Sequence, residues 1–273
     1  MLRLLFLGTG AAEGYPALFC RCHNCEQARL LGGRNLRLRS ALLINKDLLI
    51  DAGPDLSAAV IRYNVRLSEV RILLFTHMHS DHFYPHNLTW RASECRSTPL
   101  PLMKVFAPPS IIETLSNFPG LDLNDAHVSL VPIEPFTSWK ERGYRFQSYP
   151  ARHGGAGMDA LFYSIDDGRH RILYATDTAP WGEDVWEALS QRRFDVVILD
   201  ETMGYSSGGE GHHNLVSFLE TFHKFQRRGL LAKGSLFIAH HISHDNPPHD
   251  QLVKILEPKG ITVAYDGLEI CLS

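Results

Sequence analysis

The heptapeptide Thr-His-Met-His-Ser-Asp-His at residues 76–82 concentrates side chains that can bind a metal ion. Four of its seven residues, His77, His79, Asp81 and His82, carry an imidazole or a carboxylate. The apolar run at residues 72–75 precedes it, so the pattern predicts a buried strand that delivers ligands at its carboxyl end. Imidazole together with carboxylate suits zinc, manganese or iron. The motif therefore predicts a divalent-metal site.

The order of apolar strand and then polar ligand recurs in the second half of the chain. Four predicted strands there lead into polar side chains at their ends: His153, Asp177, Asp200, Glu201, His240 and His241. Three of these, His153, Asp177 and His241, join the four side chains of the motif as candidate ligands. Seven ligands exceed the four positions of one tetrahedral zinc but suit two metals that share a carboxylate. Such a pair would activate water and clamp both oxygens of a hydrolytic displacement.

Three of the five cysteines crowd together at Cys20, Cys22 and Cys25. Cysteines this close are poor disulfide partners but can converge on one metal ion. The other two, Cys95 and Cys271, stand alone, and we expect them to be buried or inert thiols.

Composition limits the class of protein. The chain has 273 residues and a formal net charge of -3, which argues against non-specific nucleic-acid binding by the whole surface. No uninterrupted apolar stretch approaches the roughly eighteen residues that a membrane helix needs. The first ten residues read as a strand rather than a signal peptide. We therefore expect a cytoplasmic protein.

Strands dominate both halves of the chain, with helices between them. Residues 41–44 and 48–50 predict a hairpin, and residues 57–63 predict a short helix. Apolar residues at helical spacing from Leu215 predict a longer helix that ends before Gly229. The glycine- and serine-rich residues 204–211 predict a mobile flap before it. The best architecture is one domain, residues 1–273, of two packed sheets with helices outside.

The chain resembles the metallo-β-lactamase superfamily. The motif at residues 76–82 fits the pattern His-x-His-x-Asp-His, and His153, Asp177 and His241 follow in that family's order. The resemblance implies an α/β (α+β) four-layer αββα sandwich. It also implies one metal on His77, His79 and His153, a second on Asp81, His82 and His241, and Asp177 as their bridge. Asp51, at the end of a predicted strand, matches an aspartate that orients the ligands.

Within the superfamily, the chain is similar to the phosphodiesterases of the PhnP type. The shared features are Gly-Thr-Gly at residues 8–10, the three clustered cysteines, His-Ile-Ser-His at residues 241–244 and Asp-Gly at residues 266–267. The similarity implies a structural zinc on Cys20, Cys22, Cys25 and His244, with His23 and Cys95 as competing fourth ligands. It also implies that His212 is the general acid, with His213 as the alternative, and Asp81 doubles as a catalytic residue.

These inferences predict a metal-dependent phosphodiesterase that hydrolyses a small, cyclic or linear phosphodiester of the phosphoribosyl cyclic phosphate type. Two divalent ions (zinc or manganese, with iron as a further option) would act in the active site. The expected partner is the small substrate, with neither a membrane nor nucleic acid, and a homodimer is compatible with the sequence. The alternatives are a tRNA 3′-processing endonuclease, a thioesterase or lactamase, and a non-catalytic cofactor carrier. The segment Phe-Tyr-Pro-His-Asn at residues 83–87 departs from the family pattern and leaves the natural substrate open.

Overall fold

Two seven-stranded mixed sheets form the centre of the structure, a computed structural model that describes residues 1–155, 157–207 and 211–273. The first sheet has the strand order β14-β1-β2-β3-β4-β5-β6, and the second has the order β13-β12-β11-β10-β9-β8-β7. In each sheet, strands pair antiparallel on one side and parallel on the other.

The strands are β1 (Leu2–Gly8), β2 (Ala41–Ile44), β3 (Leu48–Ile50), β4 (Ile72–Leu74), β5 (Met103–Ala107), β6 (Val128–Pro132), β7 (Ser138–Glu141), β8 (Tyr144–Pro150), β9 (Leu161–Asp166), β10 (Arg171–Ala175), β11 (Phe194–Asp200), β12 (Leu231–His240), β13 (Ile261–Val263) and β14 (Glu269–Leu272). The α-helices are α1 (His23–Leu31), α2 (Leu56–Tyr63), α3 (His86–Thr89), α4 (Pro109–Ser116), α5 (Glu183–Leu189), α6 (Leu215–Arg227) and α7 (His249–Leu256).

Three apolar layers hold the sheets and helices together. The central layer lies between the sheets and joins residues such as Leu4 of β1 to Tyr174 of β10 and Ile198 of β11. An outer layer packs α5, α6 and α7 on the second sheet, and another packs α2, α3 and α4 on the first. Central strands such as β2 are buried along their whole length because both of their faces are covered. The expected four-layer αββα sandwich is confirmed; the assignment of residues 1–273 to one domain stays a prediction.

Most of the predicted elements match within a residue or two. The hairpin strands β2 and β3 have the predicted bounds, and α2 begins one residue earlier than expected. Helix α6 begins at Leu215 because Asn214 and Ser217 form a capping box. Of the predicted flap, residues 208–210 lie outside the described residues.

The expectation that Cys95 and Cys271 are buried is wrong, while the alternative, that they are inert thiols, stays a prediction. Cys95 and Cys271 are both exposed rather than buried. Cys95 lies in a short 3-10 turn, and Cys271 lies on the edge strand β14, where alternate side chains face outward.

The helices of the described residues are short or polar. None of them is long and apolar enough to cross a membrane.

Candidate metal centre

Six strands end at the same place and supply the polar residues of the site. Strands β3 and β4 run parallel in the first sheet, and β10, β11 and β12 run parallel in the second. Strand β8 shares the direction of β10 because both pair antiparallel with β9. Carboxyl ends of parallel strands lie at one edge of a sheet, where loops build binding sites. The residues that the sequence placed after these strands therefore meet in space.

His77, His79 and His153 form the first of two clusters. Their ligand atoms lie within 4.8 Å of one another, and each pair of rings has centroids 4.7 Å apart. Nε2 of His77 is buried and has no hydrogen-bond partner among the described residues. Burial lowers the pKa of His77 well below its ordinary value and also lowers the pKa of His153. Neutral imidazoles with free lone pairs are the form that binds a metal ion.

Asp81, His82, Asp177 and His241 form the second cluster, and all four are buried. Nε2 of His82 lies 3.0 Å from Oδ2 of Asp81 and 3.0 Å from Oδ2 of Asp177. Nε2 of His241 lies 3.2 Å from the same Asp177 oxygen. The ligand atoms of this cluster thus converge on one small volume.

Asp177 stands between the two clusters. Its Oδ1 lies 3.6 Å from Nε2 of His153 and 4.0 Å from Nε2 of His77. Its Oδ2 lies beside Nε2 of His82 and of His241 in the other cluster. One oxygen therefore faces each cluster, which is the arrangement that a bridging carboxylate requires.

The charge of the second cluster suits a cation. Burial acts to lower the pKa of His82, but the carboxylates of Asp177 and Asp81 outweigh it and raise that pKa well above its ordinary value. Burial also acts to raise the pKa of Asp177, which His241 and His82 nevertheless hold well below its ordinary value. Two buried carboxylates are stable only with positive charge beside them. A divalent metal ion would supply that charge while the imidazoles stay neutral. The residues present fit two metal ions.

The backbone is strained at three of the predicted site residues. Asp51, Asp177 and His241 have φ angles of 61°, 53° and 61°, in the left-handed region that residues with a Cβ avoid. Each such residue costs on the order of 1–3 kcal/mol and persists only where its surroundings enforce it. At Gly53, a Cβ atom would lie 1.8 Å from the Asp81 carbonyl oxygen, so only glycine allows this turn to approach the motif.

Asp51 anchors the loop of the motif without joining either cluster. Its Oδ1 accepts the backbone N–H of Thr76 at 2.9 Å, and its Oδ2 lies 2.6 Å from Nδ1 of His82. The Thr76 hydroxyl in turn lies 3.0 Å from Nδ1 of His77. Each imidazole therefore has its outer nitrogen occupied, which directs Nε2 inward.

Two further contacts, which the sequence reasoning missed, orient imidazoles in the same way. The Thr202 hydroxyl lies 2.8 Å from Nδ1 of His241, and the carbonyl of Gly211 lies 3.0 Å from Nδ1 of His153. Hydroxyl and carbonyl groups bring no metal-ligand signal of their own, so nothing in the residue types pointed to these roles.

His212 sits at the wall of the centre. Its Nδ1 lies 2.8 Å from Oδ2 of Asp200, and its Nε2 lies 4.0 Å from Oδ1 of Asp177. Burial lowers the pKa of His212, but the Asp200 carboxylate more than offsets this and raises it to about 9. Asp200 also accepts the backbone N–H of His213 at 3.0 Å, so it holds the whole segment in place. Its position at a strand end beside Glu201 was the available signal for this role.

His213 points away from the centre and is fully buried. Its Nδ1 lies 2.6 Å from the Thr178 carbonyl, and its Nε2 lies 3.0 Å from the Thr221 hydroxyl. Both nitrogens are engaged in these structural contacts. The geometry therefore favours His212 over His213 as the proton donor.

The cysteine cluster forms a separate site around the start of α1. Nδ1 of His244 lies 3.4 Å from Sγ of Cys20 and 3.4 Å from Sγ of Cys22. The ligand atoms of these residues and of Cys25 lie within 4.8 Å of one another. Backbone N–H groups point at the sulfurs, as from Ala17 to Cys25 at 3.4 Å. Three thiols and one imidazole are the donor set of a structural zinc.

The competing fourth ligands lie elsewhere. His23 and Cys95 are exposed and do not belong to the cluster. Burial raises the pKa of the Cys25 thiol to about 12, so its thiolate requires a nearby cation. Nε2 of His244 lies 3.7 Å from Oε1 of Glu13, which occupies the outer side of the imidazole.

Two adjoining cavities open onto the centre. One, of about 460 Å³, contains ligands of both clusters and reaches Glu13, His244 and Asp245. The other, of about 710 Å³, extends from His153 and His212 toward Arg152 and the start of α6. Both volumes fall within the range of small-molecule sites.

Comparison with known proteins supports the fold. A family model described as a β-lactamase superfamily domain matches residues 46–242. The crystal structure of a diphosphatase from the PhnP family superposes with a TM-score of 0.79 at 22% identity, covering 100% of this chain and 98% of that one. Zn²⁺-bound PqqB from Methylobacterium extorquens superposes with a TM-score of 0.74 at 20% identity, covering 99% of this chain and 100% of that one.

A curated relative from Porphyromonas gingivalis, named octanoyltransferase, is 22% identical over 286 residues. The match covers 98% of this chain and 51% of the relative, so this chain spans about half the length of that protein. Likeness at this level of identity shows a shared fold.

Proposed function

The chain belongs to the metallo-β-lactamase superfamily, and we propose that it is a dinuclear-metal phosphodiesterase acting on a small phosphodiester. The position of Asp177 carries the proposal, because one of its oxygens faces the three-histidine cluster and the other faces the second cluster. The substrate that we propose is a small phosphodiester of the phosphoribosyl cyclic phosphate type. The reacting phosphate would be part of a ring or of a linear diester.

Each of the two clusters would supply the ligands of one metal ion. His77, His79 and His153 would hold one ion, Asp81, His82 and His241 would hold the other, and Asp177 would bind both. When bound, two such ions would lower the pKa of a water molecule and draw charge from the phosphate oxygens. Imidazole and carboxylate donors suit zinc or manganese, and iron as a further option. A third ion, a structural zinc, is proposed for Cys20, Cys22, Cys25 and His244.

His212 supports the chemistry of the leaving group. As water oxygen forms a bond to phosphorus, the ester P–O bond breaks and the departing oxygen needs a proton. The imidazolium of His212 would donate that proton from Nε2, while Asp200 holds Nδ1 at 2.8 Å and keeps the ring in place. Asp81 lies beside His82 in the second cluster and would also face the reacting phosphate.

A substrate panel tests the proposal. Protein stripped with a chelator and reloaded with manganese or zinc should hydrolyse bis(p-nitrophenyl) phosphate and a 2′,3′-cyclic nucleotide. The same preparation should leave a thioester, a β-lactam and a tRNA precursor intact. Cleavage of one of these three in place of the diesters would assign the site to a thioesterase, a lactamase or a tRNA endonuclease. If the protein bound two metal ions but turned over none of these compounds, the result would favour a cofactor carrier.

A cytoplasmic location and a homodimer stay predictions.

A further inference from the structure

A cavity of about 460 Å³, the outer cavity, lies on the outer face of the first sheet, where Leu73 of β4, Val60 of α2 and Leu88 of α3 line it. Among the described residues, it shares no lining residue with the two cavities at the candidate metal centre. Native protein interiors contain few voids larger than a water molecule. A space of this size is therefore too large for a packing defect and falls within the range of small-molecule sites.

The lining of the outer cavity is mainly aliphatic. In the part of the chain that the structure describes, Trp90 is the one aromatic side chain that lines it, and Trp90 is 68% exposed at the rim. The cavity thus lacks an enclosed aromatic wall on which a planar ring would stack. A flexible alkyl chain suits such a lining better than a ring does. The aliphatic side chains include Leu49, Leu56, Val60, Leu67, Leu73 and Leu88.

Arg91 is the one charged side chain among the described residues that line the outer cavity, and it is only 8% exposed. Its Nε donates to the Ala126 carbonyl at 3.0 Å, and its Nη2 donates to the Pro101 carbonyl at 2.8 Å. Within the described residues, Nη1 has no hydrogen-bond partner and no carboxylate pairs with the guanidinium. Burial, together with the nearby charges of Arg96 and Arg71, lowers the pKa of Arg91 to about 10. The side chain stays positively charged at neutral pH, so an anionic ligand would supply its missing partner.

The polar part of the lining is held in place before any ligand enters. Nδ2 of Asn87 donates to the carbonyls of Ala52 and Gly53 at 2.9 and 2.8 Å. The backbone N–H of Arg91 donates to the Leu88 carbonyl at 3.1 Å. A pre-formed site of this kind loses little conformational freedom when a ligand binds.

We propose that the outer cavity binds a free medium-chain fatty acid, with its alkyl chain along the aliphatic lining and its carboxylate on Nη1 of Arg91. The site goes beyond the proposed phosphodiesterase activity and does not depend on it. A medium chain fits because a volume of about 460 Å³ lies near the lower end of the range for small-molecule sites. A membrane surface fits less well, because a side chain as buried as Arg91 cannot reach a layer of lipid headgroups.

Calorimetry on the metal-loaded wild-type protein tests the site with sodium octanoate, 1-octanol and octyltrimethylammonium, each below its micellar concentration. Octanoate should bind in a saturable manner and roughly 10- to 100-fold more tightly than 1-octanol, the value of one charged hydrogen-bonded contact. The octyl cation should bind no more tightly than 1-octanol. From hexanoate to decanoate, the affinity should rise about fourfold per methylene for as long as the added carbon still enters the cavity.

Arg91→Met should weaken octanoate binding roughly 10- to 100-fold and leave 1-octanol binding unchanged, which shows that the cavity is intact. The control Arg66→Met, at an exposed arginine that does not line the cavity, should bind both compounds as wild type does. If Arg91→Met does not fold, Val60→Phe provides a second test, because it fills the cavity from α2 and should weaken both octanoate and 1-octanol. Its control is Ala58→Phe, which adds the same bulk at an exposed position of the same helix.

Three results would overturn the inference on the free acid: no saturable octanoate binding, equal affinity for octanoate and 1-octanol in the wild type, or equal losses in Arg91→Met and Arg66→Met. Two further results would assign the outer cavity to another occupant and overturn it as well. The first is sedimentation with phosphatidylglycerol vesicles that Val60→Phe abolishes, in a protein that does not bind octanoate. The second is a dimer in analytical ultracentrifugation that Val60→Phe dissociates and octanoate leaves intact.

Discussion

The candidate dinuclear centre and the cysteine cluster are both sets of metal ligands, but the chain builds them in opposite ways. Cys20, Cys22 and Cys25 lie within six residues and need one distant partner, His244. The dinuclear centre instead collects side chains from strand ends in both sheets and buries them. Local structure can place the three cysteines, although His244 must come from a distant part of the fold, whereas the candidate dinuclear centre needs side chains from both packed sheets.

The two sites also differ in what holds them. The cysteines surround the first turn of α1, where the Cys22 sulfur accepts the N–H of Cys25 at 3.4 Å. At the dinuclear centre, Asp51, Asp177 and His241 adopt left-handed backbone conformations that the surrounding sheets must enforce. We propose from this comparison that the cysteine cluster serves stability and that the candidate dinuclear centre serves chemistry. The two sites nevertheless lie close in the chain, because only two residues separate His241 from His244, and both histidines line the same cavity.

The largest expected effect is at the proposed bridge. Asp177→Asn should lower kcat on bis(p-nitrophenyl) phosphate by about 10³-fold, since one neutral amide replaces the charge shared by both clusters. Elemental analysis should show less metal at the dinuclear centre and an unchanged zinc at the cysteines. Asp250→Asn, at an exposed position of α7, is the matched control and should behave as wild type. Full activity in Asp177→Asn would remove the bridging assignment.

The next effect should depend on the leaving group. His212→Gln should slow hydrolysis of a 2′,3′-cyclic nucleotide by about 10²-fold, because its alkoxide leaving group needs a proton. The rate on bis(p-nitrophenyl) phosphate should fall only a few-fold, because its nitrophenolate group leaves without needing a proton. Steady-state kinetics on both substrates makes the comparison. An equal loss on both would assign His212 to binding rather than to proton donation.

A smaller effect is expected where the chain only positions a group. Asp200→Asn keeps the shape of the side chain but removes the charge beside His212, and should cost about 10-fold in kcat on the cyclic nucleotide. The leaving-group dependence should follow the pattern of His212→Gln. If kcat of the double variant, Asp200→Asn with His212→Gln, fell by the product of the two single reductions, Asp200 would act independently of His212.

The smallest effect on turnover, and a clear effect on stability, is expected at the cysteine cluster. Cys22→Ser should remove one zinc per chain, and a loss of about 3 kcal/mol would lower Tm by roughly 6–12 °C in a protein of this size. Activity per folded molecule should stay within about 10-fold of wild type, because the ligands of the dinuclear centre are unchanged. Calorimetry and zinc analysis provide the measurements, with the exposed Cys95→Ser as the control.

A loss of turnover in Cys22→Ser as large as that in Asp177→Asn would contradict the division between a stabilising and a catalytic site. An unchanged zinc count would remove the structural-zinc proposal.

Much of the fold was predictable because it follows from local pattern. The spacing of apolar residues predicts the hairpin of β2 and β3, and apolar spacing together with capping residues predicts the helix α6. Strand β7 was not predictable, since Trp139 is the one apolar side chain among its four residues and gives no repeating apolar pattern. The exposure of Cys95 and Cys271 was not predictable either, because burial depends on which surfaces the other elements cover.

The sequence by itself determined which side chains can bind metal and that they follow strands, because residue type and apolar period are properties of the chain. Only the tertiary structure decided that the oxygens of Asp177 face two different clusters. It also decided that His212 lies at the centre while His213 bonds to Thr178. Residues far apart in the chain acquire distances, partners and shifted pKa values only when two sheets bring their strand ends together.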